Sequence, residues 1–497
     1  MHRRMIGIFV LVLATALSMS AHVGSSDVFF EGDAGPYHLY VTVRVPQVIP
    51  GIAEIEVRSA ANDVEKIEIV PMRLSGAGSN YPPTPDLAQR SKPDPQFFTG
   101  SLWLMESGAL KVRVSVEGSK GKGELAVPVP AFAQRTLPME RSLGGLLGFL
   151  MVFLAVGLVF IAGAAAREGN LEPGEIPSPA KNRRARIVMV ITAVVVVGIL
   201  FLGKAWWGAE ATNYKRTVSF FKPPEAVSQL ENGNRLVIRA KGQDPAWSKE
   251  VNIEDIIPDH NHLMHLFLVG APGMERMWHL HPERGESGSF VEDLPSMSAG
   301  HYEVFADIVD KDGFPWTLVG QIDLPQINGK PLAGDDSMWS GPALAAQTGD
   351  VSVAQLADSG RIVWEKGSAS LAANTAMVFR FRVEDKDGNP AKDMEPYMGM
   401  AGHAEFVSAD MSVFAHIHPA GSASMAALEL ANGAPKGTCG ITDQCVMPTG
   451  MAMPMPAPVS AEVSFPYGFP KAGDYRIFVQ VKRAGRVETD VFDAHVQ

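Results

Sequence analysis

The sequence predicts an all-β protein: three extracytoplasmic β-sandwich domains, with a two-helix transmembrane hairpin between the first and the second. Three observations carry this. Strand-period alternation recurs along residues 22–138 and again after residue 215, two uncharged apolar runs lie between, and the C-terminal half repeats itself. Composition sets the outer bounds. The chain has 497 residues, 46% hydrophobic, with 43 basic against 54 acidic side chains and a net charge of −11. That length suits about three domains of ~100–200 residues each. An acidic balance without a basic block argues against a nucleic-acid partner. Two cysteines exclude a disulfide-dense scaffold and a cysteine-ligated zinc array. Thirteen histidines and 23 methionines remain as metal-friendly side chains, most of them in the C-terminal half.

Residues 1–21 read as a signal peptide. Arg3 and Arg4 form a positive n-region, residues 5–17 an apolar h-region, and Ser18, Ser20 and Ala21 a small-residue cleavage site. Cleavage after Ala21 makes His22 the first mature residue. In residues 22–138, Tyr37, Leu39, Val41, Val43 and Val45 alternate with polar neighbours, and Val112, Val114 and Val116 repeat the pattern. Period-2 alternation is that of half-buried strands, and a sandwich is their natural packing. Residues 143–166 then run 24 positions without a charge, and residues 187–203 another 17. A bilayer core needs ~17–25 helical residues, so spans are expected over 143–166 and 187–205. Trp206 and Trp207 sit where interfacial aromatics belong. The intervening loop, 167–186, carries Arg167, Lys181, Arg183, Arg184 and Arg186, which makes it cytoplasmic by the positive-inside rule. The signal peptide independently places residues 22–141 outside, so everything after Trp207 is outside too. The expected location is the bacterial inner (cytoplasmic) membrane, with both flanking regions periplasmic.

The C-terminal half holds two copies of one unit, 215–328 and 356–497, joined by a linker at 330–355 rich in Gly, Ala, Ser and Asp. His265, His279 and His281 of the first copy match His403, His416 and His418 of the second, and Tyr302 matches Tyr475. A His-x-His pair in a strand puts both rings on one face. Antiparallel pairing around a turn at residues 270–274 is expected to set His265 opposite His279. A tight turn at Ala409-Asp410 is expected to set His403 opposite His416. Opposed Cβ atoms lie ~4.5–5.5 Å apart, so the three rings of each copy can converge on one ion at nitrogen distances of ~2.0–2.1 Å. The competing reading is a set of strand-end histidines that bond neighbouring loops, copied by duplication.

Thioethers beside imidazoles point to copper; zinc more often recruits cysteine or carboxylate and is the weaker choice. Further candidate ligands are Met277 and His301 near the first triad and Met398 and Met400 near the second. Met447, Met451, Met453 and Met455 form a proline-interrupted thioether run, and His22 with its amino group, joined by His38, makes a third nitrogen set. The competing reading of Met277, Met398 and Met400 is core filler; that of the run from Met447 to Met455, which its prolines bar from a helical core stripe, is a plain exposed loop. In an oxidising compartment Cys439 and Cys445 most simply form a disulfide.

The pattern Gly402-His403, then Val413-Phe414-Ala415-His416-Ile417-His418-Pro419, resembles segments of YtkA-like and related secreted bacterial β-sandwich proteins, best over residues 399–480. In the first copy Met264 stands where the glycine should be. Residues 22–58 distantly resemble the N-terminal part of copper-resistance periplasmic sandwiches. These resemblances imply an immunoglobulin-like fold and, for some members, copper handling. The expected function is a membrane-anchored extracytoplasmic copper-binding protein that binds, buffers or transfers the ion to a protein partner, and not an enzyme. One alternative is an adhesive or scaffolding module with structural histidines. A second is a cupin-like metalloenzyme, since Gly273, His279, His281 and Glu286 fit half of such a motif before Asp293 breaks it.

Overall fold

The computed structural model describes residues 25–172, 174–219, 224–241, 255–344, 352–356, 358–367, 370–433 and 459–497. The signal peptide, His22, Cys439, Cys445, Met447, Met451, Met453 and Met455 lie outside the described residues. The protein is mostly β-sheet, with two long apolar helices between its first and second sheet regions. It divides into two compact units, residues 132–221 and the remainder.

In the first part of the chain the strands are β1 (Val28–Ala34), β2 (Tyr37–Arg44), β3 (Gly51–Ser59), β4 (Val64–Arg73), β5 (Asp86–Leu87), β6 (Gln89–Arg90), β7 (Phe97–Leu104), β8 (Gly108–Gly118) and β9 (Gly121–Ala131). They form a five-stranded sheet in the order β1-β2-β3-β7-β6 and a four-stranded sheet β5-β4-β8-β9. The alternating residues Tyr37, Leu39, Val41 and Val43 are buried as their period requires.

The helical unit holds α1 (Arg141–Glu168) and α2 (Pro179–Ser219). Both outrun the expected spans because their charged ends continue the helical backbone. The most apolar stretch of each has a mean hydropathy of 2.7. Twenty-eight residues of helix rise about 42 Å, more than the ~30 Å of a bilayer core. The helices pack at Gly163, where an added Cβ would come within 2.5 Å of Met189 Cγ. Small residues at such points let backbones approach closely.

The second large region begins with β10 (Glu225–Glu231), β11 (Arg235–Lys241), β12 (Ile256–Ile257), β13 (His265–Gly270), β14 (Arg276–Leu280), β15 (Glu283–Arg284), β16 (Ser289–Asp293), β17 (Gly300–Asp310), β18 (Pro315–Leu324) and β19 (Ser337–Ser340). All ten join one sheet. Two separate sheets were expected; β10 merges them by pairing antiparallel with β11 and parallel with β18. The repeat continues with β20 (Val353–Gln355), β21 (Arg361–Trp364), β22 (Met377–Glu384), β23 (Met394–Glu395), β24 (His403–Ser408), β25 (Phe414–Ile417), α3 (Met425–Ala431), β26 (Glu462–Tyr467), β27 (Gly473–Arg483) and β28 (Arg486–Val496). One sheet runs β20-β21-β22-β26, the other β23-β27-β24-β25 with β28 on β27. The expected linker at 330–355 is corrected at both ends. β19 is an edge strand against β14, with Ser337 and Trp339 turned inward, and β20 already belongs to the second copy.

Every residue of β13 and of β24 is buried. Period 2 divides the burial between two cores. Leu266 and Leu268 enter the first copy's core with Trp278 and Tyr302, and Ala404 and Phe406 enter the second's with Phe379 and Tyr475. The opposite faces meet each other: Phe267, Val269, Met277 and Phe305 pack on Val407, Phe414 and Phe478. Phe305 stacks on Phe414 with centroids 4.4 Å apart and planes 7° from parallel. The two copies therefore share an apolar interface, and the histidine ends of both hairpins are carried to one end of it.

Residues before and after the helices belong to the same body. The Glu31 N–H donates to Ala420 O at 3.0 Å, and the Ser422 N–H to Phe29 O at 2.9 Å. Lys111 Nζ donates to Ala431 O at 2.9 Å. If the helices cross a membrane, they must do so as a pair that returns the chain to its starting side.

Candidate metal centre

Register places the rings. In the first hairpin Phe267 faces His279 and Leu266 faces Leu280, so continuing the ladder one step aligns His265 with His281. In the second, Glu405 faces His416 and Ala404 faces Ile417, which aligns His403 with His418. The expected pairs, His265 with His279 and His403 with His416, are each off by two residues. The turns are longer than assumed: at the second, Ser408 N–H bonds Val413 O, leaving four residues in the loop. A two-residue shift preserves the face, so the rings still gather. The glycine of the Gly-His motif has a steric reason, since a Cβ on Gly402 would lie 2.6 Å from Gln480 O on the neighbouring β27.

Six residues before each leading histidine is a matching tight turn. In the first copy Asp259 and His262 exchange backbone bonds, with positive φ at His260 (51°) and Asn261 (69°). In the second, Tyr397 and Met400 do the same, with positive φ at Met398 (49°) and Gly399 (83°). Two consecutive left-handed residues make the type I′ geometry that glycine and asparagine adopt readily and a histidine does not. The two turns meet: His260 Nδ1 donates to Met398 O at 2.8 Å, each residue being the other's counterpart.

Two sets of three ring nitrogens lie within 4.8 Å of one another: His265, His279 and His281, and His260, His403 and His418. The first is the expected triad. In the second, His260 from the first copy holds the third place expected for His416. A tetrahedral ion with bonds of ~2.0–2.1 Å separates its ligand nitrogens by about 3.3 Å, so small ring movements close either set.

The remote nitrogens decide which atoms face inward. His265 Nε2 donates to Asp259 O at 3.1 Å, His279 Nδ1 to Gln480 Oε1 at 2.8 Å, and His281 Nδ1 to Asp336 Oδ1 at 2.9 Å. His418 Nδ1 donates to Ala423 O at 3.0 Å. These acceptors fix the tautomers. Each bond leaves a lone pair on the other nitrogen, the outer-shell arrangement that orients metal-ligating histidines. His265 Nδ1 and His279 Nε2 consequently meet at 3.1 Å as two lone pairs, a contact that a shared proton or cation relieves. Within the second set His260 Nε2, His418 Nε2 and both nitrogens of His403 have no hydrogen-bond partner among the described residues. Burial, then neighbouring imidazoles, hold His265, His279 and His403 well below the ordinary histidine range, and burial lowers His418 to about 4. Neutral imidazole is the form that binds metal.

The other candidates are placed apart or differently. Met277 lies in the apolar interface with Phe267 and Phe305, and Met264, Met297 and Met394 fill the cores, so these thioethers pack. Met398 contributes its carbonyl to His260, and Met400 closes its turn. His301 pairs with Asp323 at 2.8 Å, and His38 lies between Asp33 and Glu31 at 2.7 and 3.0 Å, neither of them in a converging set. Glu286 of the cupin-like pattern is an exposed residue in a short 3-10 turn. Sequence reasoning grouped His260 and His262 with the first triad and did not place His260 in the second set, nor did it find the acceptors Gln480, Asp336 and Asp259. The signal was present: extending the repeat six residues upstream aligns Asp259-His-Asn-His262 with Tyr397-Met-Gly-Met400.

Residues 356–497 match the family model of a domain of unknown function, DUF8832. No curated protein matches the chain. Among solved structures, the chain is similar to dimeric latent PorU from Porphyromonas gingivalis at 8% identity and a TM-score of 0.14, covering 95% of this chain and 34% of that one. It is likewise similar to an ICAM-5 D1-D4 ectodomain fragment (6% identity, TM-score 0.14, 92% and 77% covered). A third is the surface layer protein SbsC, domains 1-6 (9% identity, TM-score 0.13, 90% and 53% covered). The chain thus spans about a third of the length of PorU. Likenesses this slight carry no functional argument.

Proposed function

We propose that the protein is a membrane-anchored, extracytoplasmic copper-binding protein that buffers the ion or passes it to a protein partner, its strands packed as immunoglobulin-like modules. The observation that carries this is the pair of largely buried histidine triads in which five of the six rings have the remote nitrogen tied, to Asp259, Gln480, Asp336, Met398 and Ala423. Structural histidines have no need of convergent lone pairs; metal ligands do. The all-imidazole donors suit copper and zinc alike, and copper is favoured because Cu(II) heads the affinity order of divalent first-row ions. Two helices long enough to span, a basic loop between them and the shared body on either side support a periplasmic placement.

The test uses the full chain in detergent, dialysed against copper and assayed by elemental analysis. Two ions per chain are expected. Losing all three histidines of either set to alanine should remove one. Copper content no higher than in a variant lacking all six histidines would overturn the reading, and preferential retention of zinc from an equimolar mixture would reassign the metal.

A further inference from the structure

We infer that the two triads are halves of a single two-ion centre, with His416 as a seventh imidazole able to ligate either ion. This rests on the metal-binding reading above and goes further. The sets are adjacent: ring centroids are 6.0 Å apart between His260 and His265, and 6.5 Å between His279 and His403. His416 stands between them. Its centroid is 5.4 Å from His265 and 5.7 Å from His279 of one set, and 5.3 Å from His403 and 4.6 Å from His418 of the other. Its side chain is 5% exposed, and its Nδ1 lies 3.4 Å from Asp307 Oδ2. Its Nε2 is buried with no partner among the described residues.

Repeat geometry explains why an imidazole is left over. His416 is the counterpart of His279, a member of the first set, but in the second set His260 has entered from across the interface. Seven imidazoles therefore surround two positions, and an eighth, His262, stacks on His281 at 3.9 Å with its Nε2 3.6 Å from Asp335 Oδ2. With Nδ1–H turned to Asp307, His416 has one lone pair, which serves one ion at a time. Exchange of that lone pair gives an ion a ligand on the far side before it has lost those on the near side. No electron or proton need be gained or lost in such a step. The centre is thus arranged to hold two copper ions side by side and to move one between triads.

The experiment loads full-length protein in detergent with copper(II) sulfate and combines elemental analysis with electron paramagnetic resonance. At two ions per chain the integrated signal should fall well below two spins, or broaden with a half-field transition, because neighbouring Cu(II) ions couple. Each triad-deleted variant should bind one ion and give one full, unbroadened spin. His416→Phe fills the same space beside Phe267, whose ring is 5.1 Å away, without offering a nitrogen. It should keep both ions but weaken each about tenfold and slow exchange with added isotopic copper. Two full, non-interacting spins, or a single ion per chain, would overturn the two-ion centre while leaving metal binding intact. An unchanged affinity and exchange rate in His416→Phe would remove His416 from it. No copper bound at all would sink the underlying reading instead.

Discussion

His279 of the first repeat is held by Gln480 of the second, Nδ1 donating to Oε1 at 2.8 Å. Their counterparts, His416 and Asp307, make the reciprocal approach at 3.4 Å. Reciprocity of this kind is the mark of a two-fold interface, here built within one chain by duplication. It also means that each histidine set draws on the other repeat, the first through Gln480 behind His279 and the second through His260 itself.

Removing Gln480 should therefore act across the interface. Gln480 is fully buried and also donates to Ser337 Oγ at 2.6 Å. Gln480→Leu removes the short acceptor of His279 Nδ1, leaving it only the Tyr397 hydroxyl at 3.4 Å, and takes the Gln480 donor from Ser337, which costs about 1–3 kcal/mol of stability. Loss of an outer-shell partner typically weakens a metal site ~10–100-fold. Chelator competition should show that loss in one of two copper ions, with the other unchanged. Equal weakening of both, or of neither, would contradict the assignment of His279 to one triad.

His260 gives the second prediction. It occupies a left-handed turn position that its side chain disfavours by roughly 1–2 kcal/mol, a strain that makes sense where the ring has a task. His260→Asn suits the backbone better and forfeits the Nδ1 bond to Met398 O. The two effects are of similar size and opposite sign, so thermal stability of the metal-free protein should shift by only a few degrees. One copper ion should be lost. Two retained ions would show that His260 is not a ligand.

How much of this was legible follows from what each signal depends on. Alternation in β2 and β8 and the uncharged runs of α1 and α2 are local properties, and the sheets and helices follow them. The His-x-His spacing fixes a face regardless of register, so the first triad could be read despite a two-residue error in pairing. The second could not, because His260 reaches it through packing between repeats, which no local pattern encodes. β19 reads as linker in the sequence because Ser337-Met-Trp-Ser340 is only four residues long and sits among glycines and aspartates. The methionines misled in the other direction: the composition that pointed to thioether ligands reflects, at Met264, Met277 and Met297, the filling of cores.

The buried rings set a third expectation, for pH. His265, His279, His403 and His416 are held well below the usual range by burial first and neighbouring imidazoles second, and His418 lies at about 4. In the unfolded chain each binds a proton below pH ~6.5, while the folded chain does not. Stability of the metal-free protein is thus complete above that value and falls as pH drops, by about 1.4 kcal/mol per pH unit for each such histidine. For His418 the loss continues down to about pH 4. Urea midpoints measured between pH 7.5 and 5 should fall steeply. A flat profile would mean the rings are solvated and the buried centre is wrong.

Glu405 tests whether the centre is built for positive charge. It replaces the phenylalanine found at the matching position, Phe267, is 1% exposed, and has both carboxylate oxygens buried without a partner among the described residues. Burial, and then the nearby Asp307, raise it well above the usual carboxyl range. A raised acid destabilises the fold at every pH above its unfolded value, where the open chain would release the proton. Glu405→Leu should therefore stabilise the metal-free protein at pH 7. Bound copper reverses the balance, because adjacent positive charge favours the ionised carboxylate. The same variant should bind copper more weakly and show a smaller metal-induced rise in melting temperature. Opposite signs in the two states are what distinguish a counter-charge from a packing defect. If Glu405→Leu destabilises the metal-free protein and leaves copper affinity alone, the carboxyl has some other role.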